Sequence, residues 1–262
     1  MQLIDSHCHI QLQDYPLSVD EVIIDAQKAG VDSLIVVGDD LETSANAVEV
    51  ANRYDRVYAT AGVHPHVAQE FMDTPEWGQA FLRLLGDAKN NKIVAIGEIG
   101  LDYYYSRSSK EAQFWALKEQ LRWSQQFNLP VSFHVREAFS DFWPIYDEIS
   151  QNEPIPGVIH SFTGTMAELE EILSRGLYVA LNGIMTFTKD EDQLAMAKAV
   201  PLERLLLETD APFLTPKPFR GKICAPEHVV LTAEFLANLR GGAVEALACQ
   251  TTQNAVDLFK LT

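Results

Sequence analysis

The sequence is poor in cysteine and has no long apolar run. Cysteine occurs three times in 262 residues, as Cys8, Cys224 and Cys249. An odd number of widely spaced cysteines argues against a disulfide framework and favours a reducing compartment. No apolar run reaches membrane-spanning length, and no basic segment with an apolar region precedes the first predicted strand. We therefore expect a cytoplasmic protein with no membrane association.

Positive charge is also scarce. The chain has 20 Lys and Arg against 37 Asp and Glu, and its formal net charge is −17. It therefore lacks the basic face that sequence-independent coating of duplex nucleic acid requires. A polyanionic substrate is not excluded, because bound metal ions can reverse the charge of a site. No heptad pattern is evident, and we expect a monomer.

Apolar, β-branched runs alternate with longer amphipathic runs along the whole chain. Strands are predicted near 3–9, 33–37, 57–62, 92–98, 130–135, 157–160, 177–182 and 204–209, and helical patterns fill the gaps between them. Eight strands, each followed by a helix, predict an α/β protein with a (β/α)8 TIM barrel as a single domain over residues 1–262. The rival is an open doubly wound sheet, but no G-x-G-x-x-G loop follows the first strand.

The polar residues of greatest interest fall where the predicted strands end. The first strand carries His7 and His9, which share one face because strand side chains alternate. In a barrel, the carboxyl ends of the strands form the face that carries the active site. The later residues of this set are His64, His66, Glu98, His134, Arg136, His160, Glu208 and Asp210.

A metal centre explains this accumulation better than chance does. A lone histidine at a strand end is more often a satisfied polar residue than a ligand. Many imidazoles and carboxylates packed on one face without a partner would be costly, however. Nitrogen and oxygen ligands without thiolates suit Zn²⁺, Mn²⁺, Fe²⁺ or Mg²⁺. Four histidines and two carboxylates exceed one tetrahedral site, so we expect two divalent ions.

The expected chemistry is hydrolysis by a metal-bound hydroxide. Glu98 is expected to bridge the two ions. A water shared by the ions would lose a proton readily, because bound metal lowers its pKa from about 15.7 to near 7. Asp210 would orient this hydroxide and accept its proton. His7, His9 and Asp210 would complete one site, and His134 and His160 the other.

Six segments combine into a specific pattern: Asp5-Ser6-His7-Cys8-His9, Gly62-Val63-His64-Pro65-His66, residues 96–104, His134-Val135-Arg136, residues 160–164 and residues 207–212. Together they resemble the TatD-type deoxyribonucleases of the metal-dependent amidohydrolase superfamily, nearly end to end. The resemblance implies a β/α barrel that holds one or two divalent ions. It also implies hydrolysis of phosphodiester bonds, often from a 3′ end of single-stranded DNA. The family's ligands fall on the six residues inferred above.

The resemblance extends to residues on the substrate side. His64 matches a residue expected to take part in catalysis as a donor to phosphate. Arg136 is expected to hold a phosphate oxygen, with a surface ion pair as the alternative. His66 is interpreted as shaping its turn, and Glu208 as a partner of the ligands or an inward barrel residue. For the Tyr103-Tyr104-Tyr105 run, ordinary loop packing is favoured over base stacking.

One segment departs from the family pattern. Gly221-Lys222-Ile223-Cys224-Ala225-Pro226-Glu227 stands where the family carries an Arg-Asn-Glu-Pro-like segment. This difference affects the expected substrate more than the chemistry. The leading hypothesis is a DNA phosphodiesterase, acting like a 3′-5′ exonuclease on single-stranded DNA, with two ions of Zn²⁺, Mn²⁺ or Mg²⁺. The alternatives are a hydrolase of an amide, ester, lactone or aminoacyl ester on RNA, and a non-catalytic binding module.

Overall fold

The computed structural model describes residues 2–261. Within that range, eight strands and ten α-helices follow one another along the chain, and the order of the strands in the sheet is their order in the chain. The strands are β1 (Leu3–Cys8), β2 (Val31–Val36), β3 (Val57–Ala61), β4 (Ile93–Asp102), β5 (Val131–Arg136), β6 (Gly157–Ile159), β7 (Tyr178–Leu181) and β8 (Leu205–Leu207). The helices are α1 (Val19–Ala29), α2 (Leu41–Arg53), α3 (Ala68–Asp73), α4 (Pro75–Gly86), α5 (Lys110–Phe127), α6 (Phe139–Ser150), α7 (Met166–Ser174), α8 (Glu191–Ala199), α9 (Val229–Arg240) and α10 (Val244–Phe259).

The chain divides into two compact units. The first contains the residues up to Val36 and those from His160 onward, and the second contains residues 37–159. In the first unit, β1 pairs in parallel with β2, and β7 pairs in parallel with β8. The segment after β8 runs beside the end of β1, where the Asp210 N–H donates to the His7 carbonyl at 2.9 Å. This contact brings residues from opposite ends of the chain together.

The second unit contains β3, β4, β5 and β6, which pair in parallel in that order. Its core is aromatic: Phe71, Phe81, Phe133 and Phe142 are all fully buried. Tight packing of large rings holds the strands in a fixed register, so the side chains at the strand ends are held in place.

All eight predicted strands are present, and the expected α/β class with its (β/α)8 order is confirmed. Ser18 and Ser109 cap α1 and α5 by accepting the N–H of Glu21 and of Ala112. The sequence reading missed α3, a helix of six residues. The expectation of a single domain over residues 1–262 stays a prediction. Among the described residues, no helix combines the length and apolar character needed to cross a bilayer.

Candidate active site

Four predicted ligands of the first unit, His7, His9, His160 and Asp210, form what we call the first cluster. Nε2 of His7 lies 3.1 Å from Nε2 of His9. Asp210 Oδ1 is 3.8 Å from the first of these nitrogens and 3.5 Å from the second. The His160 ring stacks on the His7 ring with a centroid distance of 3.9 Å. Three imidazoles and one carboxylate therefore converge within a single unit.

The backbone around Asp210 is held in an uncommon conformation. Asp210 has a φ of +61° and Ser161, next to His160, a φ of +49°. Residues other than glycine enter this left-handed region rarely, and such positions concentrate at functional sites. Asp5, fully buried, accepts hydrogen bonds from the Thr209 N–H at 2.8 Å and the Thr209 hydroxyl at 2.5 Å. Burial raises the pKa of Asp5 to about 8. These bonds fix the residue that precedes Asp210.

Glu208 lies behind His160. Its Oε1 accepts the Ser161 N–H at 2.6 Å and lies 3.4 Å from Nδ1 of His160. Its Oε2 is buried and accepts no hydrogen bond from the described residues. An anionic oxygen without a donor is costly unless positive charge is nearby. Of the two roles expected for Glu208, its position supports that of a partner of the ligands.

Five residues of the second unit, His64, His66, Glu98, Asp102 and His134, form the second cluster. Nδ1 of His134 lies 2.6 Å from Glu98 Oε1, and Nε2 of the same ring lies 2.9 Å from Asp102 Oδ2. Asp102 Oδ2 is also 3.1 Å from Nε2 of His66. Burial by itself raises the pKa of Asp102, but the hydrogen bonds from His134 and His66 outweigh burial and hold that pKa well below its usual value.

The ring orientation of His64 follows from its own hydrogen bond. Nδ1 accepts the backbone N–H of His66 at 3.1 Å, so the proton of the neutral ring is on Nε2. Nε2 lies 3.4 Å from Glu98 Oε1. Burial lowers the pKa of His64 to about 4, which keeps the ring neutral. His64 therefore directs its Nε2–H toward Glu98, and its role as a donor to phosphate stays a prediction.

Two glutamines on α5 hold the segments that carry the second cluster. The Gln120 side chain accepts the Val63 N–H at 2.6 Å and donates to the Val63 carbonyl at 3.1 Å. Gln113 does the same for Asp102, accepting its N–H at 2.8 Å and donating to its carbonyl at 3.2 Å. Both glutamines are buried. Each amide occupies both backbone groups of one residue, which orients His64 and Asp102.

The donor atoms of both clusters suit a divalent ion. His7, His160 and Asp210 each offer one ligand atom, and these atoms lie within 4.8 Å of one another. The same distances hold among His64, Glu98 and His134, but Nε2 of His64 carries the ring proton and Nδ1 accepts the His66 N–H, so Glu98 and His134 are the ligand candidates of this group. Two imidazole nitrogens that face each other, as in His7 and His9, present two lone pairs unless a proton or a cation lies between them. Asp102 behind His134 and Glu208 behind His160 match the carboxylates that orient metal-bound histidines.

The structure places every predicted site residue in one of these clusters except Arg136, which ends β5 and is exposed. The expected bridging by Glu98, and the assignment of His160 to the same ion as His134, stay predictions. Sequence reasoning gave Asp102 no role, although it ends β4, the strand that carries Glu98. It also missed Phe213, which is 54% exposed and whose ring centroid lies 6.4 Å from that of His9.

Known proteins resemble this chain over nearly its whole length. The family model described as TatD related DNase matches residues 4–260. The chain is 37% identical over 259 residues to the metal-dependent hydrolase YabD of Bacillus subtilis, covering 99% of each chain. It is also 37% identical over 256 residues to the 3′-5′ ssDNA/RNA exonuclease TatD of Citrobacter rodentium, covering 93% of this chain and 92% of that protein.

Among solved structures, the TatD homologue YjjV of Escherichia coli superposes with a TM-score of 0.89 at 28% identity, covering 99% of this chain and 98% of the other. That likeness extends over nearly the whole of both chains and supports the (β/α)8 barrel fold. The chain therefore belongs to the TatD family of metal-dependent hydrolases.

Proposed function

We propose that this hydrolase is a DNA phosphodiesterase that releases nucleotides from the 3′ ends of single strands. The observation that carries the proposal is His134, whose two ring nitrogens face Glu98 and Asp102. A neutral imidazole donates only one hydrogen bond, so one nitrogen is left to serve as a ligand. The name of the Citrobacter relative supports the choice of substrate and of strand polarity.

Two divalent ions, of Zn²⁺, Mn²⁺ or Mg²⁺, are part of the proposal. When bound, they supply Lewis-acid polarisation of the phosphate and activation of water. Imidazole and carboxylate donors without thiolates fit these metals. The proposed ligands are His7, His9, Glu98, His134, His160 and Asp210.

The remaining steps belong to side chains of this protein. Asp210 accepts the proton of the attacking water. Burial raises the pKa of Asp210, but the hydrogen bond from His9 and the charges of the nearby histidines bring that pKa below its usual value. The carboxylate is therefore an anion that can take up the proton. His64 donates its Nε2–H to a non-bridging phosphate oxygen. Arg136 holds a second phosphate oxygen, as a guanidinium does well.

The test is a cleavage assay on single-stranded DNA labelled at either end. The wild-type protein is expected to shorten the strand from its 3′ end with Mn²⁺ or Mg²⁺ and to lose that activity in chelator. Asp210→Asn should abolish cleavage, whereas Asp14→Asn, a change at an exposed aspartate, should leave it intact. A metal-loaded wild-type protein that cleaves no nucleic acid would overturn the proposal.

The same assay separates the alternative substrates. Activity on an ester, an amide or an aminoacyl-RNA without activity on DNA would favour the alternative hypothesis, a hydrolase that attacks a carbonyl carbon. In the segment that departs from the family, Cys224 is buried and Ile223 is 43% exposed, and Lys222 is an exposed positive charge beside them. Cytoplasmic location and the monomeric state stay predictions.

A further inference from the structure

The loop after β4 carries two exposed aromatic side chains beside two arginines. Tyr104 is 54% exposed and Tyr105 is 50% exposed. The Arg136 guanidinium carbon lies 3.9 Å from the Tyr104 ring centroid and 5.0 Å from that of Tyr105. The Arg107 guanidinium carbon lies 5.5 Å from the Tyr105 ring centroid. We call Tyr104, Tyr105, Arg107 and Arg136 the tyrosine–arginine patch.

The patch is held in place by hydrogen bonds to its own unit. The Tyr105 N–H donates to Asp102 Oδ1 at 2.8 Å, which ties the loop to the second cluster. The Tyr103 hydroxyl donates to Asp141 Oδ2 at 2.6 Å, and the Ser106 hydroxyl donates to the Tyr103 carbonyl at 2.9 Å. A loop fixed at several points presents its rings without a large ordering cost on binding.

The patch continues directly into the second cluster. The Tyr105 ring lies edge-on to the His66 ring, with centroids 5.3 Å apart. His66 in turn shares Asp102 with His134. A single-stranded nucleic acid with one phosphate at the second cluster would therefore have a neighbouring nucleotide within reach of these tyrosines.

The charge on the patch is uncompensated. Neither Arg107 nor Arg136 forms an ion pair with the described residues. This is unusual in a chain whose net charge is −17, where carboxylates are abundant. The surface ion pair considered for Arg136 is therefore absent from the described part of the chain. Unpaired guanidinium groups beside exposed aromatic faces suit an unpaired nucleotide, whose base stacks and whose phosphate accepts hydrogen bonds.

We propose that the tyrosine–arginine patch is a subsite for an unpaired nucleotide, with Tyr104 and Tyr105 stacking the base that adjoins the phosphate held by Arg136. The subsite rests on the proposed function for its substrate class. It would also explain why the enzyme prefers single-stranded to double-stranded nucleic acid. A base in a duplex is stacked on its neighbours and offers no free face to a side chain. The tyrosines therefore act as specificity-determining residues.

The test measures binding separately from cleavage. A fluorescein-labelled oligothymidylate is titrated against the Mn²⁺-loaded Asp210→Asn protein, alone and combined with Tyr104→Ala or Tyr105→Ala. Each alanine is expected to weaken binding about tenfold, since one base stack is worth roughly 1–3 kcal/mol. Phenylalanine at the same position should retain binding. Tyr54→Ala is the matched control, because Tyr54 also lies beside an arginine, Arg53. Tyr54 precedes β3, whereas His64 of the second cluster follows β3, so Tyr54 stands at the other end of that strand.

A substrate with abasic sites distinguishes stacking from a merely structural role. If the tyrosines stack bases, removing the bases weakens binding to the parent, and Tyr→Ala adds no further loss on the abasic strand. Equal losses on both strands would mean that the alanine disturbs the loop, and would overturn the subsite. So would unchanged affinity of both alanine variants.

The outcomes for the two proposals are distinguishable. A wild-type protein that cleaves single strands, with alanine variants that bind normally, retains the proposed function and removes the subsite. A wild-type protein that cleaves no nucleic acid, but binds oligothymidylate through the tyrosines, removes the function and retains the subsite. Equally tight binding of a blunt duplex would contradict the strand preference.

Discussion

Nε2 of His134 lies 2.9 Å from Oδ2 of Asp102. The opposite nitrogen of that ring faces Glu98 at 2.6 Å. A neutral His134 donates to only one of these carboxylates, so its other nitrogen presents a lone pair toward a carboxylate oxygen. Two electron-rich atoms at that distance repel each other unless a second proton or a metal ion lies between them. The pair therefore supports metal binding more directly than the number of histidines does.

Asp102→Asn is expected to weaken metal binding. The change keeps the size of the side chain and removes the charge that orients His134. We expect metal affinity to fall about 10–100-fold, as it does when a carboxylate that orients a metal-bound histidine is lost. Competition with a chromophoric zinc chelator measures it.

The control for that variant is Asp55→Asn, at an exposed aspartate of the same unit. Its zinc affinity should match that of the wild type. Equal affinities of Asp102→Asn and the wild type would show that Asp102 does not orient a ligand.

Gln120→Met is expected to lower both stability and turnover. Methionine has a similar volume but leaves the buried N–H and C=O of Val63 without their partners. Each unsatisfied group costs about 1–3 kcal/mol, and the turn that carries His64 loses its anchor. Urea unfolding and kcat are the measurements.

The matched control is Gln125→Met on the same helix, where Gln125 donates to the Ile149 carbonyl at 3.0 Å. It should lose stability without a change in kcat. If both variants lowered kcat equally, the specific role of Gln120 in placing His64 would be wrong.

Thr209→Val removes the hydroxyl that donates to buried Asp5. Valine has nearly the same shape, so the loss of the two hydrogen bonds of the hydroxyl, to Asp5 and from the Ala211 N–H, dominates the change in the free energy of unfolding. We expect a decrease of about 1–3 kcal/mol by chemical denaturation. Thr252→Val, at a half-buried threonine whose hydroxyl donates to the Gln2 carbonyl, should change stability by less than about 0.5 kcal/mol. Similar losses for the two variants would contradict the importance of the Asp5–Thr209 pair.

The three cysteines are expected to differ in reactivity. Cys8 and Cys224 are fully buried, and burial raises the pKa of both thiols, which suppresses the reactive thiolate. Cys249 is exposed on α10. Titration of the native protein with a chromogenic disulfide reagent should therefore release one equivalent rapidly, and Cys249→Ser should abolish that phase. Rapid release of all three would mean that the thiols are accessible.

Sequence patterns predicted the strands and the cluster residues better than they predicted the contacts between them. His7 and His9 stand out because alternation along a strand fixes their common face. The partnership of Asp102 with His66 and His134 depends on which atoms meet across separate elements, and no spacing rule encodes it.

The end of β4 shows why a local signal misleads. The glycines after Ile96 suggest that the strand stops near Glu98, yet β4 continues to Asp102. Gly100 lies so close to β5 that a Cβ there would overlap the carbonyl oxygen of His134. The glycine is therefore required for strand pairing and does not end the strand. The exposure of Tyr104 and Tyr105 likewise depends on tertiary structure, which is why loop packing was expected there.

The most direct measurement is the anomalous scattering of zinc from a crystal of the wild-type protein grown with Zn²⁺. The expected result is a peak within about 2.0–2.2 Å of ring nitrogens of His7 and His9 and of an Asp210 oxygen, and a second peak at Nδ1 of His134 and Oε1 of Glu98. Zinc bound only at exposed side chains, with no peak at either cluster, would contradict the assignment of these residues as metal ligands.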